Sequence, residues 1–454
     1  MPWSQPLRTI AEALGAAPPS GDGANAAVTG VSTDTRAIQP GELFVALKGE
    51  SFDGNAFVDE ALAKGAAAAV ATVPGKDSGR VLVVEDGLAA LQKLAAWHRA
   101  QFDIPVFALT GSCGKTTTKD LVAGALAARF NVVKTKGNLN NEIGLPLSLL
   151  RMDATTEMAV MEMGANHQGE IARLCEIARP TESAITMIGE AHLEGFGGTL
   201  ADVAKAKGEI MQALPNDGTF YANQDDPHCK AIGEAYGGRV VSYGTSGDVV
   251  LEQCGFDEHG ELALTISPIG GIRLPVHTRA WAHNILLAVA VALDHGVDEV
   301  EEPLREACEH LSRVTVTEIG PLRVLDDSYN ANPASMRAAF QTLADLMNGD
   351  GGKRIAALGE MKELGEASPA LHRQTGATAA EFGITHCYCY GPHAADFAEG
   401  ARSAGIEAAE ALDTHEAIAG RIAAVAAPGD MLLVKGSRGV TMEKVMDALR
   451  AHYG

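Results

Sequence analysis

Pro105-Val106-Phe107-Ala108-Leu109-Thr110-Gly111-Ser112-Cys113-Gly114-Lys115-Thr116-Thr117 is the stretch that decides the fold. Its first six residues are an apolar run that reads as a strand, and residues 117–129 read as a helix. Between them lies a short glycine-bracketed loop, the setting a phosphate-binding loop requires. Glycine tolerates the φ values that let several backbone N–H groups converge on one anion, and the helix adds the positive end of its dipole. Gly111, Ser112, Cys113, Gly114, Lys115, Thr116 and Thr117 are therefore expected to hold ATP. Lys115 reaches the β- and γ-phosphates and Thr116 offers a hydroxyl to Mg²⁺. The general phosphate-loop pattern has glycine where this chain has Leu109, so the loop is a shortened variant, G-x-x-G-K-T.

Outward from the loop the same alternation continues. Strands are predicted at 157–163 and 183–188, and helices at 169–177 and 200–214. This pattern implies an α/β fold with a mostly parallel sheet covered on both faces. A third α/β series follows residue 316, with strands at 323–326, 353–358 and 431–435 and helices at 335–346 and 369–382. A turn is predicted at 348–352. Before the loop, short strand-like runs at 43–47, 67–72 and 80–84 flank a helix near 54–64, and 88–101 reads as a connecting helix. Three domains are expected: a small N-terminal α/β unit at 1–85, a central parallel-sheet unit at 86–315, and a C-terminal, Rossmann-like α/β unit at 316–454.

Bulk properties narrow the function. Against 36 Lys and Arg stand 58 Asp and Glu, a net charge of -22. A surface this acidic argues against nucleic acid or an anionic membrane as partner. The seven cysteines are scattered and lack a C-x-x-C spacing, which suits reduced thiols. The start of the chain lacks the apolar core of a signal peptide. The longest apolar stretch, near 284–293, is about half of what a membrane span needs. A cytoplasmic protein without membrane insertion is expected.

A metal beside the phosphates needs further ligands at the carboxyl ends of neighbouring strands. Glu162 and His192 sit there in sequence. Cys113 stands at a helix N-terminus, a position that lowers a thiol pKa, so sensitivity to alkylating agents is expected.

Beyond the loop, several runs match an ordered set of motifs. They are 135–146 (TKGNLNNEIGLP), Glu162-Met163-Gly164, Ala191-His192-Leu193-Glu194, Ala206-Lys207-Gly208-Glu209-Ile210 and His283-Asn284. The third series adds 326–336 (DDSYNANPASM), 358–365 (LGEMKELG) and 434–439 (VKGSRG), and the first adds Asp34-Thr35-Arg36 and 40–46 (PGELFVA). Together they resemble the ATP-dependent Mur ligases of peptidoglycan synthesis over essentially the whole chain. Two departures are Asp53-Gly54-Asn55 for a usual Asp-Gly-His, and Cys113 where Asn or Ser is more usual.

The resemblance implies an ATP-dependent amide ligase. Its implied substrates are UDP-N-acetylmuramoyl-tripeptide and D-alanyl-D-alanine, joined through an acyl phosphate. It implies catalytic roles for Lys115, Lys207, His192 and Asn330. Thr116 and Glu162 are implied to hold one Mg²⁺, and His192 and Lys207 a second. In several relatives the lysine at the Lys207 position carries a carbamate. Asn284, Asp326 and Tyr329 are implied to contact the nucleotide. Asp34, Arg36, Lys48 and Gly49 are implied to receive the UDP end, and Asn140, Asn141, Ser437 and Arg438 other parts of the substrates. Lys435 is expected to face an anion at a strand end. A monomer is implied.

Overall fold

The computed structural model describes residues 3–17, 25–75, 79–311, 315–347 and 351–454. The turn predicted at 348–352 lies mostly outside the described residues. Among the described residues three larger sheets organise the chain, beside a two-stranded antiparallel pair of Gln5–Pro6 with Ala27–Val28. The first has four parallel strands in the order Val31–Ser32, Leu43–Val45, Ala68–Ala71, Val81–Val83. The third has six strands, of which Thr315–Ile319 is an antiparallel edge on Leu322–Asp327 and the rest are parallel.

The central sheet has nine strands, with Val106–Thr110 between Met158–Glu162 and Glu182–Ile185. All three of these strands are fully buried, which explains why they read as unbroken apolar runs rather than alternating ones. Beyond Arg239–Gly244 the sheet departs from the parallel expectation. Val249–Phe256 joins in parallel, and Leu262–Ser267 and Gly270–Leu274 then fold back antiparallel. Leu262–Ser267 alternates buried and half-buried residues, as a strand with one covered face does.

Register fixes the site. Leu109 pairs with Glu162 and Thr110 with Ile185, so Glu162 ends its strand beside the start of the phosphate loop. In the third sheet Asp327 pairs with Lys435. Helix Lys115–Ala127 starts at Lys115, two residues before the predicted start.

Helix Gly87–Arg99 ties the first unit to the second. Asp86 caps it by accepting the Ala89 N–H at 2.7 Å. Lys93 donates to the Leu14 carbonyl at 3.0 Å, while Arg99 Nε donates to the Ala178 carbonyl at 2.9 Å. One apolar core runs from Leu7 and Leu43 through Leu94 and Met161 to Leu325 and Phe397. Each large side chain buried in it contributes about 1.5–3 kcal/mol. Among the described residues no helix is long and apolar enough to cross a membrane.

Candidate active site

The phosphate loop keeps its shape because its neighbours leave it no other. Gly111 has φ +147°, and a Cβ there would stand 1.9 Å from Thr186 Oγ1. Gly114 has φ +81° and faces Asn284, whose Oδ1 would be 2.8 Å from a Cβ. Two loop carbonyls are held by side chains from outside the loop: Thr186 Oγ1 donates to Cys113 O at 2.6 Å and Asn332 Nδ2 donates to Ser112 O at 3.2 Å. Ser112 N–H donates to Met187 O and its hydroxyl meets Gly189, both at 2.9 Å. Lys115 Nζ donates to Gly111 O at 2.7 Å. A cleft of ≈ 720 Å³ opens above the loop between the central and C-terminal units, and Ser112 to Thr117 all line it.

Glu162 lies at the floor, about 1% exposed. Its Oε1 accepts from Thr116 Oγ1 at 3.2 Å and from Asn140 Nδ2 at 2.7 Å. Its Oε2 is buried and has no hydrogen-bond partner. An orphaned, buried carboxylate oxygen is costly unless a cation meets it. Beside the Thr116 hydroxyl it forms the hard-oxygen donor pair that Mg²⁺ takes while keeping phosphate oxygens and water for its other positions. These two residues fit one ion. Asn140, expected on the substrate, lines the cleft and also braces this carboxylate. Among the described residues no group of three or more His, Cys, Asp and Glu is gathered for a metal.

The second set of donors is in another state. Lys207 is buried, its Nζ 4.8 Å from the Phe196 ring centroid and 3.4 Å from the Ala165 carbonyl oxygen. Burial, and then the nearby Lys115 charge, push its amine far below the ordinary lysine range. As an amine it is no cation ligand. His192 lines the cleft, and its Nδ1 bonds Glu363 of the C-terminal unit.

A lysine that sequence reading passed over lies on the same helix, outside the lining of the cleft. Lys119 is buried one turn after Lys115, donating to Gly137 O at 3.0 Å and lying 3.5 Å from Asp120. Desolvation pushes its pKa down. Its i+4 spacing from Lys115 was the available signal.

The C-terminal unit contributes Asp327, Tyr329, Asn330 and Lys435 to the cleft. Lys435 is buried and donates to Asp327 Oδ2 at 2.6 Å and to Asn330 O at 2.8 Å. Three residues expected at the site lie outside the lining of this cleft. Asp326 does not line the cleft; successive strand side chains alternate, and its Oδ1 accepts the Ser328 N–H at 3.0 Å. Ser437 is buried outside the cleft, accepting the Lys362 N–H at 2.9 Å. Arg438 is exposed and pairs with Glu443 at 3.1 Å.

Asn284 and Asn141 do line the cleft, and Asn141 Oδ1 also accepts the Gly144 N–H at 2.9 Å. Cys113 lines it too, but burial raises its thiol pKa, with Lys435 and Lys115 opposing more weakly. The activated thiol expected from the helix N-terminus is therefore not supported.

Asp34, Arg36, Lys48 and Gly49 lie outside this cleft, after the carboxyl ends of the adjacent parallel strands Val31–Ser32 and Leu43–Val45. Arg36 grips Asp34 through Nε at 2.9 Å and Nη2 at 2.7 Å. That contact holds the Asp34 carboxyl at about 2. Gly49 N–H donates to Phe52 O at 2.9 Å.

Three family models match successive parts of the chain. They are described as Mur ligase family, catalytic domain (residues 27–98), Mur ligase middle domain (109–292) and Mur ligase, glutamate ligase domain (312–438). The UDP-N-acetylmuramoyl-tripeptide--D-alanyl-D-alanine ligase of Escherichia coli K12 is 38% identical over 441 residues, covering 94% of this chain and 95% of that protein. A crystal structure of MurF from Acinetobacter baumannii superimposes with a TM-score of 0.87 at 32% identity over 99% of each chain. MurF ligase from Thermotoga maritima, solved in complex with ADP, gives a TM-score of 0.80 at 30% identity over 93% of this chain and 97% of that one. With matches running through all three units at this level of identity, the chain belongs to the Mur ligase family.

Proposed function

We propose that the chain is the ATP-dependent ligase that joins D-alanyl-D-alanine to UDP-N-acetylmuramoyl-tripeptide, the reaction for which its Escherichia coli relative is named. The tripeptide's terminal carboxylate is a poor electrophile near neutral pH. Its oxygen attacks the γ-phosphorus of ATP, ADP leaves, and an acyl phosphate remains. The free amine of D-alanyl-D-alanine then attacks the acyl carbon. The tetrahedral intermediate expels inorganic phosphate, the nitrogen loses its proton, and the amide is formed.

The chain's own part is positioning and charge. Gly111 to Thr117 cradle the phosphates, and Lys115 leaves the Gly111 carbonyl to meet the β- and γ-oxygens. Asn284 stands against Gly114 where the nucleotide base would lie. Asp327 takes the role expected of Asp326. Tyr329 and Asn330 close over the nucleotide and the reacting peptide, while Lys435 adds positive charge opposite the loop. Mg²⁺ held by Thr116 and Glu162 neutralises phosphate charge when bound. The Lys207 amine, kept neutral by burial, is suited to add CO₂, forming a carbamate and releasing a proton. That carbamate and His192 then suit a second Mg²⁺. Asp34, Arg36, Lys48 and Gly49 receive the UDP end in the N-terminal unit, and Asn141 faces the tripeptide. The units at 1–85, 86–315 and 316–454 serve UDP, ATP and dipeptide in turn. The enzyme works in the cytoplasm as a monomer, with small-molecule partners and neither nucleic acid nor membrane.

The observation that carries this reading is the orphaned Glu162 oxygen beside Thr116, in the same cleft as Lys115. Phosphate release is measured with ATP and Mg²⁺ plus each combination of D-alanyl-D-alanine with the meso-diaminopimelate and L-lysine tripeptides. Release that needs both co-substrates is expected. Release with neither, or with glutamate and folate instead, sinks the reading. In CO₂-depleted buffer turnover should fall and recover with bicarbonate; indifference to CO₂ removes the carbamate.

A further inference from the structure

We propose that Glu363 is a positioning residue: it fixes the His192 imidazole from across the interface between units, so that His192 is set for its work only when the C-terminal unit is docked. The inference rests on the reading of His192 as part of the reaction machinery.

His192 follows strand Glu182–Ile185 of the central sheet, and Glu363 lies between strand Arg354–Gly359 and helix Ser368–Glu381 of the third. The imidazole Nδ1 bonds the Glu363 carboxylate. Both residues sit in the left-handed region, at φ +56° and +64°. Non-glycine residues stay there only where the surroundings hold them, and such sites cluster where geometry matters to function.

The surroundings here are specific. Glu194 N–H donates to Glu363 O at 3.3 Å. Lys362 N–H donates to Ser437 Oγ, and Met361 N–H to the buried His372 Nε2, both at 2.9 Å. Three side-chain or backbone partners from different elements thus clamp the loop that carries Glu363. This gives Ser437 a role that its distance from the cleft had left open.

A carboxylate only accepts, so Nδ1 carries the ring proton and the Nε2 lone pair is left for the cleft that His192 lines. On the other side the Phe196 ring stands edge-on to His192 at 6.3 Å between centroids, and the same ring faces Lys207 Nζ at 4.8 Å. Glu363 therefore sets one end of a His192–Phe196–Lys207 row. Its side chain is 52% exposed. A contact that open to water adds little to stability, so orientation is the property it can change.

The test uses the full chain labelled with ¹⁵N-histidine, the His192 ring nitrogens being assigned by their loss in His192→Gln. The wild-type protein should show the Nδ1-protonated tautomer. Glu363→Gln keeps an acceptor and should preserve that signature, with kcat within about threefold of wild type. Glu363→Ala should lose it, with kcat falling about 10- to 100-fold and KM for the UDP substrate staying within about twofold. Glu363→Asp, one methylene short, should fall between and serves if the alanine variant folds poorly. Glu363→Ala with wild-type ring signals and kcat overturns the proposal, as does Glu363→Gln behaving like Glu363→Ala. If His192→Ala itself keeps wild-type turnover, the reading of His192 fails instead.

Discussion

Around the cleft between the central and C-terminal units, Glu162 and Lys435 in its lining and Lys119 and Lys207 outside it each hold an ionisable group about 1% exposed, whereas at the edge of the N-terminal sheet Asp34 and Arg36 stand in solvent. Burying an ionisable group costs several kcal/mol unless partners compensate. The cleft groups are compensated unevenly: Lys435 by Asp327, Lys119 by the Gly137 carbonyl, Glu162 on one oxygen only, and Lys207 by a single long contact and an aromatic face. The places left incomplete are the places a cation and a carbamate would fill. At the N-terminal edge nothing is incomplete, since Arg36 satisfies Asp34 with a two-pronged grip. An exposed pair of this kind is nearly neutral in energy. It can open for a diphosphate at little cost and close again when product leaves.

The largest effect should come from Lys115→Ala, which is expected to lower turnover by about 10³-fold or more with the fold intact. Wild-type kinetics in that variant would falsify the phosphate-loop assignment. Glu162→Gln should lower turnover by about 10²-fold. Its ligand-free melting temperature should hold, because the change removes a half-satisfied buried charge; a clear fall in Tm would show that the carboxylate serves the fold.

Acid should strike the cleft before the N-terminal edge. His372 is buried, and desolvation lowers its pKa from 6.5 to about 4. The folded state keeps it neutral, so its contribution is complete above pH 6.5 and is lost as pH falls towards 4. The loss is at most about 3 kcal/mol. Because neutral His372 accepts from Met361 in the Glu363 loop, that bond is lost in the folded enzyme only as pH approaches 4, where ATP turnover should decline while the UDP substrate still binds. Denaturant titrations at pH 7.5, 6 and 5 measure the first, and calorimetry the second; flat stability across the window counts against it. The smallest effect belongs to Arg36→Ala, which should raise KM for the UDP substrate about tenfold and leave that for ATP alone. Equal rises in both would mean that the two regions are not separate.

Much of this was legible before any coordinates. The apolar strands, the loop and the placement of Glu162 and His192 at strand ends follow from periodicity and connection rules, and they hold because central parallel strands are buried on both faces. Asp326 and Asp327 could not be told apart, since which of two neighbours faces a cleft depends on register with Lys435. Lys119 was passed over, since its burial depends on a loop eighteen residues away. The antiparallel extension at 249–274 was missed because its strands are half-exposed, with glycines at the last turn. Glu363 had no local signal, because its partner lies 171 residues distant.

Asn332 performs two tasks with one amide. Its oxygen accepts the Ser335 N–H at 2.8 Å and starts helix Pro333–Leu346, while its nitrogen holds the Ser112 carbonyl of the phosphate loop. The helix and the loop therefore share a terminus. A chimera that grafts the C-terminal unit of one such protein onto the nucleotide-binding unit of another has to match at this side chain first. Where it does not, the transplant leaves one helix uncapped and one loop untied, so the interface sets a limit on how freely these units can be shuffled.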